Sequence, residues 1–439
     1  MTLRDRSRVR HNRRGVQVAE HAQVGARARS IADGKTAGVR RRPKNRKAQI
    51  AAVAAEAFSE RGYHGVSIDE IAKTVGISGP ALYRHFPNKY ALFRHAVNEL
   101  ADSLGAAVDE FDSGDDTDPS DTLDRLLTAT IRTTITNRRT GGLYRWERRY
   151  LSKDDRLQVR GKMVAINRRL AQLTAQLRPD LTASDYVVLS TALLSTIGSI
   201  TTHRAPLSNR RLQQLLLDAC HSILATPLAP ADPDSGEPPT KSGLATSNKR
   251  EVLLHEAVLL FDAHGYHDVS IEEIGAAAGI NASGVYRHFP SKADLLATAF
   301  HRAGDRVAMS VESALTESST SDQALEHLVD VFVRLAFDHS ELMSVYFAEI
   351  GNLPKAHRSD LRNIQRLNIE EWARIVAELR TDLSAVECRF LVHAALILSL
   401  DVGQVMRFRS TESNRRRVQQ LMLAVLVGNR SESGEVLRP

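Results

Sequence analysis

An internal repeat constrains the fold of this chain more than any other feature of its sequence. Residues 58–89 align without gaps to residues 261–292, and 17 of the 32 aligned residues are identical. Weaker similarity continues further along, where LRPDLT at 177–182 corresponds to LRTDLS at 379–384. Self-similarity over such a distance indicates repeated structural units. We therefore expect two similar units of about 180 residues, a size typical of independently folded domains.

The spacing of apolar residues predicts an all-α fold for both units. Aromatic residues make up only 5% of the chain, and β-branched runs bounded by turn residues are scarce. Ile50, Val53, Ala54 and Phe58 recur at the spacing of one helix face. Between the units, residues 226–248 contain five prolines and no apolar period, which predicts an extended linker.

The basic charge of the chain is concentrated at its N-terminus. Residues 1–47 hold fifteen Lys and Arg against three acidic residues, a net of +12, whereas the whole chain carries +7 and the remainder therefore −5. Net charge is thus informative about this arm only. The arm is poor in large apolar residues, so we expect it to be disordered and either to attract DNA phosphates or to be simply solvated.

Several other classes of protein are disfavoured by the sequence. There is no run of 18 apolar residues and no secretory segment, so we expect a cytoplasmic protein that has no membrane partner. Cys220 and Cys388 are isolated in apolar helical surroundings and lack metal-site spacing. No phosphate-binding loop, nucleophile elbow or HExxH motif occurs. We expect neither an enzyme nor a metal or cofactor site.

Start and stop signals divide each copy of the repeat into short helices. The glycines that end the first and second helices are Gly62 and Gly76 in the first copy, and Gly265 and Gly279 in the second. Capping-box spacing at the start of the second helix joins Ser67 to Glu70 and Ser270 to Glu273. A third helix then begins near Ser78 or Asn281. Two short helices around a glycine turn are typical of a helix-turn-helix, although this pattern alone has low specificity.

The end of each copy is more specific. Tyr83-Arg84-His85-Phe86-Pro87 followed by Lys89, and Tyr286-Arg287-His288-Phe289-Pro290 followed by Lys292, resemble the signature of the DNA-binding domain of the TetR family of transcriptional regulators. The resemblance implies two tandem units, each a three-helix helix-turn-helix domain followed by a helical ligand-binding and dimerisation domain. It also implies a sequence-specific repressor that binds double-stranded DNA.

The resemblance suggests seven segments along the chain. They are a disordered basic arm (1–45), the first helix-turn-helix domain (46–106), the first regulatory domain (107–225), the Pro-rich linker (226–248), the second helix-turn-helix domain (249–309), the second regulatory domain (310–428) and a disordered tail (429–439). In TetR-like proteins the last two helices pair with a second subunit as a four-helix bundle. The matching stretches here are 183–204 with 208–225 and 384–408 with 412–427. Because one chain contains both pairs, we expect an intrachain pseudo-dimer that is monomeric in solution, with higher oligomers confined to DNA.

The resemblance also assigns the contacts with DNA. The implied phosphate-contacting residues are Tyr83, Arg84, His85 and Lys89 in the first copy, and Tyr286, Arg287, His288 and Lys292 in the second. Each lysine begins the fourth helix, where free N–H groups favour an anion. The alternatives are core hydrogen bonds for the histidines and solvated charges for the arginines.

Base reading falls to the start of the third helix, where the two copies differ. The first copy offers Ser78, Gly79 and Pro80, and the second offers Asn281, Ala282 and Ser283. An amide such as that of Asn281 is suited to a bidentate contact with adenine. Matched phosphate contacts with unmatched readers predict a non-palindromic operator.

The effector is less determined by the sequence. Polar-tipped residues in apolar helical surroundings are Trp146, Tyr186, His203, Trp372 and His393, and each is either a ligand contact or a core residue. The doubled layout resembles actinobacterial regulators of lipid or sterol uptake and catabolism, including those of mammalian-cell-entry operons. This implies a fatty-acyl, acyl-CoA or sterol-like effector. Two alternatives stay open: a scaffold that does not bind DNA, and a regulator with one competent DNA-binding domain.

Overall fold

The computed structural model describes residues 45–109, 118–143, 150–232 and 247–428, and these residues form 17 α-helices and no β-strand. The all-α prediction is confirmed. The predicted tail, all of the predicted arm but Asn45, and most of the predicted linker lie outside the described residues.

The two units repeat the same order of helices. The first contains α1 (Arg46–Arg61), α2 (Ile68–Val75), α3 (Gly79–Tyr83), α4 (Lys89–Asp109), α5 (Pro119–Thr136), α6 (Lys153–Leu177), α7 (Ala183–Gly198) and α8 (Asn209–Leu224). The second contains α9 (Lys249–His264), α10 (Ile271–Ala277), α11 (Ala282–His288), α12 (Lys292–Glu317), α13 (Ser321–Asp338), α14 (Ser340–Glu349), α15 (Lys355–Leu379), α16 (Ala385–Val405) and α17 (Glu412–Val427).

Local signals set the ends of the short helices as predicted. Both capping boxes at the starts of α2 and α10 are formed, with each serine hydroxyl accepting from the N–H of the glutamate three residues on. Gly62 and Gly265 follow α1 and α9 with φ of 76° and 87°. A side chain with a β-carbon is strained at such angles, which is why glycine serves there.

Each unit begins with a small compact domain, which we call a head: residues 45–88 and the start of α4 form head 1, and residues 248–291 and the start of α12 form head 2. The head cores are centred on fully buried aromatic side chains, Phe58 and Phe93 in one head and Phe261 and Phe300 in the other. Both α4 and α12 continue beyond their head into the helical part of the unit that follows. Each head is therefore attached to the rest of its unit by a continuous helix.

A single large core joins the two units. It includes Leu189 and Leu193 from α7 together with Leu391 and Leu398 from α16, all almost fully buried. The α7 and α16 helices pack on each other, and α8 and α17 complete a four-helix arrangement. The segment 183–201 is long and apolar enough to cross a membrane, but most of it is buried in this core. The predicted pairing of the final helices within one chain is thus observed.

Two reciprocal ion pairs cross the boundary between the units. The Arg417 side chain on α17 pairs with Asp185 at the start of α7, and Arg211 on α8 pairs with Glu387 at the start of α16. Each carboxylate also closes the capping box of its own helix. Burial opposes the ionisation of Glu387, but hydrogen bonds from Ser384 and Arg211 hold its pKa below the ordinary value. The repeat thus produces a pair of equivalent contacts across an approximate two-fold axis.

Candidate DNA-binding surfaces

Both heads contain the turn that a helix-turn-helix requires. Gly76 adopts φ of 73° between α2 and α3, and the N–H of Ile77 donates to the carbonyl of Ala72 at 2.9 Å. In the second head Gly279 has φ of 68°, and the N–H of Ile280 donates to the carbonyl of Gly275, again at 2.9 Å. The isoleucine of each turn packs against the core of its head. An apolar residue therefore closes the turn in both heads.

A row of exposed polar-tipped side chains lies at the C-terminal end of each third helix. Tyr83 is 49% exposed and Tyr286 is 54% exposed, values unusual for so large an aromatic side chain in a folded domain. The four neighbours that share this exposure are Arg84, His85, Arg287 and His288. The next residue in each copy, a phenylalanine, is buried and anchors the row. The alternative of a core hydrogen bond for the two histidines is therefore wrong.

The predicted base readers are placed at the start of the third helix, with one difference from expectation. Ser78 and Asn281 are both N-caps, and the Asn281 amide oxygen accepts the N–H of Gly284 and the hydroxyl of Ser283, each at 2.9 Å. A bidentate contact with adenine needs both ends of the amide. The cap occupies the oxygen end, because asparagine competes well for free helix N–H groups. The expectation that Asn281 is available for bidentate readout is corrected.

The two lysines also differ from their expected role as direct phosphate ligands. The Lys292 ammonium donates to the carbonyl oxygens of Tyr266 and Val269, both at 2.6 Å, and lies 4.4 Å from the Tyr266 ring centre. Lys89 lies 4.6 Å from the ring centre of Tyr63. Burial lowers the pKa of both lysines. Each ammonium is thus turned toward the loop that precedes the second helix, which it holds against the fourth.

The N-terminus of the fourth helix is capped differently in the two heads. The Asn88 side chain accepts the N–H of Ala91 at 2.7 Å, and no acidic residue lies in the first turn of α4. In head 2, Ser291 accepts the N–H of Asp294 at 3.1 Å, and the Asp294 carboxylate lies within the first turn of α12. A carboxylate there competes with an incoming phosphate for the positive end of the helix. The two helix N-termini therefore differ in local charge.

Basic residues at the start of each unit's first helix are a feature that our sequence reasoning missed. Arg46 donates to the carbonyl of Val75, and Lys249 donates to the carbonyl of Ala278, so each reaches the C-terminal end of the second helix. Their neighbours Lys47 and Arg250 lie 5.5 Å and 4.7 Å from the buried phenylalanine rings that anchor the exposed rows. The gapless offset of 203, extended upstream, pairs these positions and was the available signal.

The predicted ligand-contacting residues do not form one pocket. His203 and His393 stack with ring centres 4.1 Å apart, across the boundary between the units. Burial, with the nearby positive charge of Arg138, lowers the pKa of His203 to about 2 and that of His393 to about 4. Tyr186 instead donates to the carbonyl of Arg178 at 3.0 Å.

Trp372 is also separate from the histidine pair. Trp372 is 2% exposed and packs edge-on against Phe332 under a groove between α12 and α13. Trp372 therefore lines a small cavity between these two helices. Trp146 lies outside the described residues.

Comparison with known proteins agrees with this geometry. The profile of the family described as "Bacterial regulatory proteins, tetR family" matches residues 50–96 and again residues 253–299. These two stretches are the two heads. Both heads are DNA-binding domains of the TetR family. Because the match occurs twice, the predicted resemblance to a tandem form of this family is confirmed.

Similar proteins in this family are transcription regulators. The chain is 38% identical over 77 residues to the HTH-type transcriptional activator FasR of Mycolicibacterium smegmatis, covering 18% of this chain and 35% of FasR. It is 40% identical over 51 residues to IcaR, a negative regulator of a biofilm operon in Staphylococcus aureus, covering 12% of this chain and 27% of IcaR. The chain thus aligns with about a third or less of these relatives' lengths.

Two solved structures of the same family have also been compared with the chain. The ketosteroid regulator KstR2 of Mycobacterium tuberculosis is 17% identical in sequence, with a TM-score of 0.38. The alignment covers 42% of this chain and 96% of the KstR2 chain. A TetR-family regulator of Bordetella parapertussis shares 21% identity, with coverage of 42% and 96% and a TM-score of 0.37.

Proposed function

We propose that this regulator is a repressor that binds one non-palindromic operator with its two unlike heads, as a single chain in the bacterial cytoplasm. The observation that carries the proposal is the exposed Tyr-Arg-His row beside a helix-turn-helix in both heads, with different residues at the start of the two third helices. Repression requires only that promoter DNA be occupied, which two DNA-binding heads are sufficient to achieve.

The proposed contacts divide into phosphate binding and base reading. Phosphate contacts fix position and orientation without reading sequence, and most of the affinity comes from them. The exposed rows supply these contacts in both heads, and Lys47 and Arg250 extend them. Reading is done by Ser78, Gly79 and Pro80 in head 1 and by Asn281, Ala282 and Ser283 in head 2. Because the readers differ, the two half-sites differ.

The contacts that the two lysines make within their heads change how each phosphate is held. Lys89 and Lys292 hold the loop before the second helix, and their positively charged ammonium groups point into the head. The phosphate then meets the free N–H groups of α4 or α12 and the exposed tyrosine hydroxyl. We infer that removal of either lysine weakens DNA binding by displacing that loop.

Paired variants of the exposed rows test the proposal. Arg84 and His85 are changed together to alanine in one variant, and Arg287 and His288 in another. Operator affinity is then measured at several salt concentrations. Each lost phosphate contact lowers the salt slope by about 1 and weakens binding to all sequences. Arg374→Ala, an exposed arginine on α15 held by Glu371 and Glu378, is the matched control.

The outcomes separate the proposal from its alternatives. Loss of affinity in both paired variants supports two working heads. Loss in only one identifies a regulator with a single competent head, and no DNA binding by the unmodified chain points to a scaffold. Unchanged binding in both variants would contradict the assignment of phosphate contacts to the exposed rows. In a transcription assay on promoter DNA that contains the operator, addition of the protein should reduce the transcript. An increase would contradict repression, as the activator FasR illustrates for a relative.

We propose further that a lipophilic anion, such as a fatty-acyl group or acyl-CoA, releases the protein from DNA. What supports this is the groove of about 410 Å³ between α12 and α13, where Met309 and Leu335 supply apolar surface beside the cations Arg306 and Arg334. A sterol-like ligand would use the same apolar surface without the arginines. The ligand must bind the DNA-free arrangement more tightly than the DNA-bound one.

A titration of the operator complex with a long-chain acyl-CoA tests the effector. Release of DNA at micromolar ligand is expected, and Arg306→Ala with Arg334→Ala should raise the concentration required. Release that is indifferent to both substitutions would place the effector elsewhere. Binding without any release would leave a constitutive repressor.

A further inference from the structure

The two heads contact each other through a row of four aromatic rings. The row begins at Tyr63 and His64 in the loop after α1, with ring centres 5.2 Å apart. His64 then contacts His267 of the other head at 4.1 Å, with the rings tilted by 35°. His267 in turn lies 5.4 Å from Tyr266. We call these four residues the inter-head row. They come from the same Gly-Tyr-His triplet in each copy of the repeat, so His64 and His267 are equivalent positions.

Each end of the inter-head row is closed by a lysine. The Lys89 ammonium lies over Tyr63 and the Lys292 ammonium over Tyr266, at 4.6 Å and 4.4 Å from the ring centres. Such distances are within the range of cation–π attraction. Both lysines begin the long helix that carries its head, α4 or α12. The row therefore connects the N-termini of these two helices through ring contacts.

The regulatory part of each unit also contacts the row. Tyr150 stacks on Tyr63 with ring centres 5.6 Å apart and meets His64 edge-on at 4.9 Å. In the second unit, a ring nitrogen of His267 is hydrogen bonded to the Asn352 side chain at 2.9 Å. Tyr150 and Asn352 precede α6 and α15 respectively, outside the heads. A shift of either segment therefore changes the support of the row.

We propose that the inter-head row fixes the separation of the two heads in the DNA-bound state, so that the chain accepts two half-sites at only one spacing. This inference rests on the proposed function, since it presumes that both heads bind DNA. One extra base pair between half-sites moves them apart by about 3.4 Å and rotates them by about 34°. Two rings whose centres lie 4.1 Å apart would lose their contact under such a displacement.

A neutral ring at His64 suits this contact. Burial, then the nearby charges of His267 and Lys89, lower the pKa of His64, while Asp268 opposes the shift. The other ring neighbours of His64 are the uncharged side chains of Tyr63 in the row and Tyr150 outside it. A positive charge on His64 would be repelled by the Lys89 ammonium, so protonation of His64 weakens the contact.

Spacing-variant operators test the inference directly. The native operator is found by footprinting, and duplexes with one or two base pairs added or removed between half-sites are then compared. For each change of one base pair in the spacing, the affinity of the full chain should fall about 10-fold or more. Either one head loses its half-site or the contact between the heads breaks. With His64→Ala and His267→Ala together, the same changes should cost about 3-fold or less, since the heads adjust independently. If the affinity of neither the unmodified chain nor the alanine pair depends on the spacing of the half-sites, the inference is wrong.

Two further variants test whether the spacing dependence comes from the inter-head row itself. His64→Phe with His267→Phe retains stacked rings and should restore the sharp spacing dependence. His255→Ala removes another exposed histidine, on α9, and should leave it unchanged. If the alanine pair instead binds the native operator more tightly than the unmodified chain, the row belongs to the DNA-free state and the inference is wrong.

A cross-link gives an independent readout. Cys220 and Cys388 are both buried, so His64→Cys with His267→Cys introduces the accessible thiols for a short bifunctional thiol reagent. The cross-linked chain should retain native-operator affinity within about 3-fold, less than 1 kcal/mol. Loss of affinity only after cross-linking would overturn the row as a feature of the bound state. No DNA binding by the unmodified chain would overturn the proposed function and this inference together.

Discussion

Substitution of Arg417 by methionine should destabilise the protein more than the same substitution at its counterpart Arg211. The Arg417 side chain is 3% exposed and its partner Asp185 is 10% exposed, whereas the Arg211 side chain is 44% exposed. Removal of one partner from a buried ion pair typically costs about 3–5 kcal/mol, because it leaves an unpaired charge out of water. Thr182 still donates its N–H and hydroxyl to Asp185, at 2.8 Å and 2.7 Å, which offsets part of that cost.

We therefore expect Arg417→Met to lower the free energy of unfolding by about 3 kcal/mol, the lower end of that range. Arg211→Met should lower it by about 2 kcal/mol, because Arg211 is 44% exposed, whereas the Glu387 carboxylate that it leaves is 6% exposed and keeps its bonds from Ser384. In thermal unfolding the first change lowers Tm by about 4 °C. Chemical denaturation followed by circular dichroism measures both variants on the same chain.

A second substitution separates the effect of the unpaired charge on stability from the effect of lost packing. Asp185→Asn keeps an acceptor for the helix cap but removes the charge, so its combination with Arg417→Met should recover part of the lost stability. Equal stability of Arg417→Met and the unmodified protein would refute the reasoning. Failure of Asp185→Asn to recover stability would show that the cost lies in packing and not in an unpaired carboxylate.

Three further outcomes follow from the same structure. Asp294→Asn should tighten operator binding by about 2- to 5-fold in a gel-shift assay, because a carboxylate no longer competes with phosphate at the start of α12; weaker binding would contradict this. Stability should fall below pH 6.5, since the lowered pKa values of His203 and His393 keep both rings neutral when folded while the unfolded chain takes up protons; a flat stability profile from pH 7 to 5 would oppose it. Lys292→Met should raise amide exchange in residues 265–270, where its two carbonyl acceptors lie; unchanged exchange would remove its proposed positioning role.

Much of the fold was predictable because its determinants are local. Glycines at φ above 70°, serine caps with a glutamate three residues on, and a helical apolar period each act within a few residues. The internal repeat supplied the one long-range inference, that two pairs of final helices in one chain pack together. That inference needed no contact information, only the presence of both pairs.

The details of the DNA-binding surfaces were less predictable, because they depend on competition between partners. Asn281 was available in sequence for base reading, but the cap of its own helix uses the amide oxygen. Lys292 was expected at a phosphate, but two carbonyl oxygens in its own head are closer acceptors. The contact between His64 and His267 lies between domains and leaves no periodic signal in either copy.

The mass of the complex between the full chain and its operator tests the central claim most directly. Sedimentation equilibrium with a duplex containing one operator, at protein concentrations above saturation, gives the number of chains bound. The account predicts one chain of 48.5 kDa per duplex, with both heads protecting unlike half-sites. Two chains on every duplex, arranged symmetrically over a palindromic footprint, would contradict it.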